Sequence, residues 1–600
     1  MRAATMRRTP DITAPSPDVT VIIAVYNTMP YLTRCLKSLV RQSIGLSRLE
    51  IIAVDDGSTD GSAAELDRFV RRFPDTFTVV HQANSGGPAM PSNRALRLAT
   101  GRYVFFLGAD DYLGRQALER LVAAGDRYNA DVVAGRMVGC NGRFVPQTIF
   151  ARTDPDVDLY ASALPFALSN TKLFRRRLLE DHQLWFREDL PFGSDQPFTL
   201  AACVHAGRIS VLADYDYYFA VRRHDATNIT YRSSHRQRLA CTAQIIADTV
   251  ALLPPGPQRD AILHRSFSSE LSKLTRPDFL QLDRAVQEHV ATGIGHLADL
   301  YLTEPIAARL DVSRRIRLRL AQHHYFDQLI GTVRHNASHD PLPLTVDHGP
   351  DGDRLYAAYP GFRDPIHSNP DTWYLITDSP NQSIAHRLTL TGLSWQRHHH
   401  RTALAITAHS PDRPTTVVAA APHLTVGSTR VAMTTSAAPS GGTIVRARVP
   451  LHALRSHRPL WADSRDVHIE AGPEGGASPV PLRMPRTVSG RERLTLVSRR
   501  AYVVRPVRRT DGELAIDVVP VTMRRLARRL REWLWREDRG TGLKTAIGTG
   551  PADTALASTV PASTAQADAA HADTVPSDDG PMASAARASR RTPAATGSPR

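Results

Sequence analysis

The chain has no apolar run of about 18 residues, the length a helix needs to cross a bilayer, so no transmembrane segment is expected. Its opening stretch, Met1 to Asp18, carries Arg2, Arg7 and Arg8 without an apolar core. It is therefore read as a loose tail (1–17), neither a signal peptide nor an anchor. Cysteine is scarce: Cys35, Cys140, Cys203 and Cys241 are scattered with no C-x-x-C pair. That excludes a zinc ribbon and a disulfide framework and fits a reducing cytoplasm. A basic helix with base-reading spacing and an aromatic RNA-binding motif are also missing, so nucleic acid is not the expected partner. Positive charge is plentiful. The formal net charge of +15 calls for a polyanionic partner, and anionic lipid and an anionic cell-envelope polymer both stay open.

At 600 residues the chain exceeds what one core can organise, so several domains are expected. The first is built around Phe105-Phe106-Leu107-Gly108-Ala109-Asp110-Asp111-Tyr112. Tyr103 to Leu107 reads as a strand buried on both faces, and it stops on two adjacent carboxylates. Two like charges there repel unless a cation lies between them, and hard divalent ions prefer oxygen ligands. The competing reading is a turn whose Asp residues cap the next helix. Upstream, Val19 to Val25, Leu49 to Val54 and Phe77 to Val80 read as further strands, each followed by a helix. Alternation at this spacing predicts a parallel sheet with helices on both faces and ligands outside the carboxyl ends of its strands. The Asp55-Asp56-Gly57-Ser58 and Asn84-Ser85-Gly86-Gly87 turns fall at that same edge.

Val21-Ile22-Ile23-Ala24-Val25-Tyr26-Asn27, Val54-Asp55-Asp56-Gly57-Ser58-Thr59-Asp60, Asn84-Ser85-Gly86-Gly87 and Phe106-Leu107-Gly108-Ala109-Asp110-Asp111 together resemble the family-2 glycosyltransferases of GT-A fold. The resemblance runs from about Pro17 to Asp225. It implies a Rossmann-like, mostly parallel α/β catalytic domain at 18–232 and an inverting sugar transfer from a UDP-sugar, with Mn²⁺ or Mg²⁺ on the diphosphate. By that likeness Asp56 reads the uracil, Ala24 and Tyr26 line the base pocket, Asn84 lies along the nucleoside and Arg94 approaches the diphosphate. Asp110 and Asp111 match the metal-and-ribose motif. Family members often carry Asp where this chain has Gly108, which leaves the ion to the later carboxylates, mainly Asp111. The segment Leu190-Pro191-Phe192-Gly193-Ser194-Asp195 matches a second motif, usually Glu-Asp, in which the Asp is the general base. Asp195 keeps the base and Ser194 replaces the preceding acid. Taken alone, Asp195 reads equally well as a helix cap. An unperturbed Asp, with pKa about 3.9, is a weak base, so it must act late as the ion stabilises the departing UDP. Val211 to Phe219 is read as the closing strand. Arg222 and Arg223 after it suit phosphate oxygens, and His224 is a candidate third metal ligand, with a plain surface His the favoured alternative.

Residues 233–338 show helical periodicity, with Leu239, Thr242, Ile245, Ile246, Thr249 and Leu252 on one face, and are read as a helical linker domain. Residues 339–520 alternate over short stretches and are read as β-sandwich. This architecture is similar to that of teichoic-acid-type polymer glycosyltransferases, which implies polymer binding or homo-oligomerisation. His398-His399-His400 is read as an exposed loop. Within 521–538, Met523 to Arg536 reads as a basic amphipathic helix for an anionic membrane surface or for docking, and 539–600 as a disordered tail. The function expected is a cytoplasmic or inner-face enzyme acting on a cell-envelope polymer or glycan. The competing reading is a non-catalytic polymer-binding protein with a degenerate GT-A domain, motivated by Gly108 and Ser194.

Overall fold

The run Val-Thr-Val-Ile-Ile-Ala-Val forms strand β1 (Val19–Val25) of a computed structural model that describes residues 17–521, apart from 142, 144, 224–232, 339–342, 350–351, 378–379, 399–400, 428, 455–462, 472–478, 486, 498–499 and 510–511. His224, most of the three-His run, the basic helix, both tails and the ends they were assigned lie outside the described residues. After β1 come α1 (Leu32–Leu39), β2 (Leu49–Asp56), α2 (Ser62–Arg72), β3 (Phe77–Gln82), α3 (Ala89–Leu96), β4 (Tyr103–Phe106), β5 (Tyr112–Leu113), α4 (Ala117–Arg127), β6 (Val132–Gly135), β7 (Met137–Cys140), β8 (Leu173–Arg175), α5 (Arg176–Asp181), α6 (Asp195–His205), β9 (Ile209–Leu212) and β10 (Tyr218–Val221).

Seven strands form one sheet in the order β3-β2-β1-β4-β8-β6-β9, parallel except for β8. Its faces are sorted by alternation. Val21, Ile23 and Val25 face one core with Leu32 and Leu36 of α1, whereas Ile22, Ile52 and Val54 face the other with Ala89 and Leu96 of α3. Burial on both sides explains why these strands read as continuous apolar runs.

The stretch expected as one closing strand is divided. β9 ends the main sheet beside β6, and β10 belongs to a second sheet ordered β5-β10-β7. The break falls at Asp214 to Tyr217, where the Tyr217 hydroxyl donates to Asp214 Oδ1 at 2.8 Å. Tyr217 also needs Gly135 opposite it, since a Cβ there would lie 2.5 Å from its ring. Local pattern could not show this, because the tyrosines that turn the chain look like strand residues.

Six helices between His235 and Ser338 pack round a third core, and the expected face of His235–Leu252 is buried at Leu239, Thr242, Ile245, Ile246 and Thr249. A three-stranded antiparallel sheet (Leu344–Gly349, Gly352–Ala357, Leu375–Thr377) contributes Tyr356 and Ala357 to that same core. The remaining strands, Thr389–His398 to Leu514–Pro520, are antiparallel as expected. Their hydrogen bonds run continuously through one ten-stranded sheet, and residues from both halves, such as Ile406, Val445, Val449, Ile469 and Ile516, share one core. The two layers read as a sandwich are thus the halves of one curled sheet. Among the described residues no helix is long and apolar enough to cross a membrane.

Candidate active site

β1, β2, β3 and β4 run parallel, so their carboxyl ends gather at one edge, where the Tyr26-Asn27, Asp55-Asp56, Asn84-Ser85 and Asp110-Asp111 stretches fall. β2 runs through both Asp55 and Asp56, which face opposite sides of the sheet. Asp55 Oδ2 meets His81 Nδ1 at 3.1 Å, and His81 Nε2 meets Asp67 at 3.1 Å. Burial lowers the His81 pKa, but these two carboxylates outweigh it and leave the imidazole raised. Asp56, 3% exposed, accepts from Gln82 Nε2 at 2.6 Å, from the Ser85 N–H at 3.1 Å and from Ser85 Oγ at 2.9 Å. Gln82 Oε1 in turn accepts from Arg94 at 3.1 Å, so Arg94, Gln82 and Asp56 form a chain. The β2 turn closes on Asn84 because Gly57 has φ +77° and a Cβ there would lie 2.8 Å from the Asn84 nitrogen. Asn84 is exposed, Tyr26 is 50% exposed at the end of β1, and Ala24 sits partly buried beside Val54.

The second pair of carboxylates also parts. Asp111 turns inward at 5% exposure, where its oxygens accept from the Tyr218 hydroxyl and the Val221 N–H, each at 2.6 Å. Its pKa is pushed up to about 7, first by burial and then by the charge of Asp110, against the pull of Arg143 and the two hydrogen bonds. Asp110 instead faces Arg223, whose Nε donates to it at 2.8 Å while Nη1 donates to the Asn27 carbonyl at 3.2 Å. One guanidinium therefore ties the end of β4 to the end of β1. Arg222 beside it is exposed. Gly108 has a steric reason: a Cβ there would lie 2.8 Å from Asp111 Oδ2 and 3.1 Å from the Tyr218 hydroxyl. A carboxylate at this position has no room while Asp111 keeps its bonds.

Asp195 opens α6 after the Ser194 N-cap residue, whose side chain makes no capping bond. Among the described residues its carboxylate has no side-chain hydrogen-bond partner. Burial raises its pKa, opposed by the charges of Arg265 and Lys172 and assisted by Glu270. Lys172, 2% exposed, donates to the carbonyls of Ala167 and Ser169, and burial lowers its pKa to about 8. Aromatic packing seats this helix against the sheet edge. Phe198, one turn into α6, lies 5.5 Å from Phe106 of β4 and stacks on Phe186 at 4.0 Å. Buried Asn93 of α3 locks the incoming loop, donating to the Phe186 carbonyl at 2.8 Å and to Glu188 at 2.9 Å while accepting the Phe186 N–H at 2.9 Å. A Cβ on Gly87 would lie 3.2 Å from the Pro191 carbonyl, so the nucleoside-side turn and the Asp195 loop are in contact.

Tyr218, Gln82, Ser85 and Asn93 were not singled out from the sequence. Only Ser85 carried a signal, through its Gly-Gly turn. Among the described residues no cluster of three His, Cys, Asp or Glu side chains is arranged to hold a metal ion.

A mostly parallel sheet with acidic turns at its carboxyl edge and a half-buried carboxylate on the adjoining helix defines a nucleotide-sugar transferase fold. The model for glycosyl transferase family 2 matches residues 20–183, that for the glycosyl transferase TarS linker domain matches 240–332, and the chain belongs to glycosyl transferase family 2. It is 40% identical over 205 residues to a poly(ribitol-phosphate) beta-glucosyltransferase of Bacillus spizizenii, covering 34% of this chain and 32% of that one. It is 39% identical over 203 residues to the poly(ribitol-phosphate) beta-N-acetylglucosaminyltransferase TarS of Staphylococcus aureus, covering 34% and 35%. The match thus spans about a third of the length of these curated relatives. The crystal structure of S. aureus TarS shares the fold, with TM-score 0.53 at 22% identity over 84% of this chain and 86% of that one. TarS 1–349 in complex with UDP-GlcNAc aligns with TM-score 0.50 at 29% identity, over 57% and 97%.

Proposed function

We propose that this protein is an inverting glycosyltransferase that moves a sugar from a UDP-sugar to a hydroxyl of a poly(ribitol phosphate)-type cell-envelope polymer. The carrying observation is the seating of Asp195 against the motif edge by Phe106, Phe186 and Phe198, with its carboxylate left without a side-chain partner among the described residues. Both relatives named above carry poly(ribitol-phosphate) in their names, and a charge of +15 suits a polyphosphate acceptor.

In this reading Asp56 accepts the uracil N–H, held in aim by Gln82 and Ser85, between Ala24, Tyr26 and Asn84. Arg94, Arg222 and Arg223 bind the diphosphate. Asp195 takes the proton of the acceptor hydroxyl as it attacks the anomeric carbon from the face opposite UDP. Burial makes it a stronger base than an unperturbed Asp. Asp110 is the carboxylate that would hold Mn²⁺ or Mg²⁺, since Mg²⁺ is usually held by one or two carboxylates with water and substrate phosphates. Asp111 is committed to Tyr218 and Val221 and supports that turn from below. When bound, the ion neutralises charge on the departing UDP. Residues 18–232 carry the chemistry, and we assign polymer contact or self-association to 339–520.

The test is a screen of UDP-sugars with the purified chain, a divalent ion and poly(ribitol phosphate). Transfer from at least one donor is expected. Absence of transfer and hydrolysis with every donor would support the degenerate, binding-only reading instead.

A further inference from the structure

Where the catalytic half meets the helical segment lies a cavity of about 250 Å³ lined by Phe166, His264, Ser268, Ser269, Arg309 and Arg314. Its charge can be counted. Arg314 pairs with Asp311, another wall residue, so these two cancel. Among the described residues Arg309 has no carboxylate partner, which leaves the cavity one net positive charge. Neither buried ring nitrogen of His264 makes a hydrogen bond among the described residues. Burial and the charges of Arg309 and Arg314 lower its pKa against the pull of the nearby Arg309 backbone, so at neutral pH it is a neutral ring with one N–H to donate. Among the described residues Ser268 makes only a long 3.4 Å bond to the Arg265 carbonyl and Ser269 makes no side-chain bond, so both serine hydroxyls can turn inward. One cation, one imidazole N–H and two hydroxyls match a singly charged oxyanion. A neutral sugar would not need the cation.

The cavity is wired to the setting of Asp195. Arg265, next to His264, donates to Gln196, the neighbour of Asp195, and pairs with Glu270 at 3.0 Å. Phe166 belongs to the turn whose Ala167 carbonyl accepts from Lys172. Both contacts reach groups whose charges bear on Asp195.

We propose that this cavity binds one phosphodiester group of the acceptor chain while a neighbouring hydroxyl of that chain reaches Asp195. The proposal rests on the polyol-phosphate reading of the acceptor given above. In steady-state transfer by the full chain, Arg309→Gln should raise KM for poly(ribitol phosphate) about tenfold, the usual worth of one charge-assisted hydrogen bond. The turnover number and the donor KM should stay unchanged. Ser269→Asp, which adds a like charge, should act in the same direction. KM for free ribitol, an uncharged acceptor, should not move. Inorganic phosphate should compete with the polymer in the parent and lose that effect in Arg309→Gln. An unchanged polymer KM in both variants would overturn the phosphate cavity and leave sugar transfer standing, even if free phosphate still bound. If the parent transfers nothing, the transfer reading fails, and calorimetry with the same polymer decides the cavity: equal affinity of parent and Arg309→Gln overturns it.

Discussion

The edge proposed to hold the donor and the side proposed to face the acceptor are built in opposite ways. At the donor edge every carboxylate is already engaged: Asp55 by His81, Asp56 by Gln82 and Ser85, Asp110 by Arg223, Asp111 by Tyr218 and Val221. On the acceptor side Asp195 has no such partner among the described residues and is held by packing behind it. Engaged carboxylates are fixed in direction and suit recognition, whereas a carboxylate that must take a proton needs a free lone pair and a raised pKa. The same residue type thus serves two purposes through its surroundings.

Asp195→Asn is the hardest way to break that contrast. General-base catalysis contributes about 10²- to 10⁴-fold, so transfer should fall by that factor while calorimetric UDP affinity is unchanged. Equal loss of UDP binding would place Asp195 on the donor side. Gly108→Asp challenges the engaged edge instead. Its Cβ lies within 2.8 Å of Asp111 Oδ2, so we expect a loss of about 1–3 kcal/mol in denaturant melts, the usual range for overpacking. An unchanged midpoint would show that the turn yields. A third test concerns proton linkage at Asp111. A carboxyl whose pKa is about 7 when folded and 3.8 when unfolded stays protonated only in the native state between those values. Its contribution to stability is therefore present below about pH 4 and is lost as pH rises towards 7. Asp111→Asn should flatten that part of the stability–pH curve, and parallel curves for the two proteins would remove the assignment.

The donor edge was legible because its strands are buried on both faces and its turns are local in sequence. Which member of each Asp pair turns inward was not legible. For Asp110 and Asp111 it is set by Tyr218 and Arg223, more than a hundred residues downstream, which enter through the second sheet. That sheet was hidden in the Val211 to Phe219 run. Asp195 could be named from its motif, but its placement depends on Phe106, Phe186 and Phe198, which read only as ordinary core residues. The cavity proposed for phosphate left no trace in any one segment, since its walls come from three.

Tyr356, Tyr359 and Tyr374 are buried in the same core as Leu329 and Val333 of the last linker helix, and the Tyr359 hydroxyl donates to Asn336 of that helix at 2.7 Å. Anyone trimming this protein at Ser338, where the helices stop, would expose apolar residues of that helix that now share a core with the tyrosines. A scissor cut placed beyond Thr377 keeps the tyrosine lid attached.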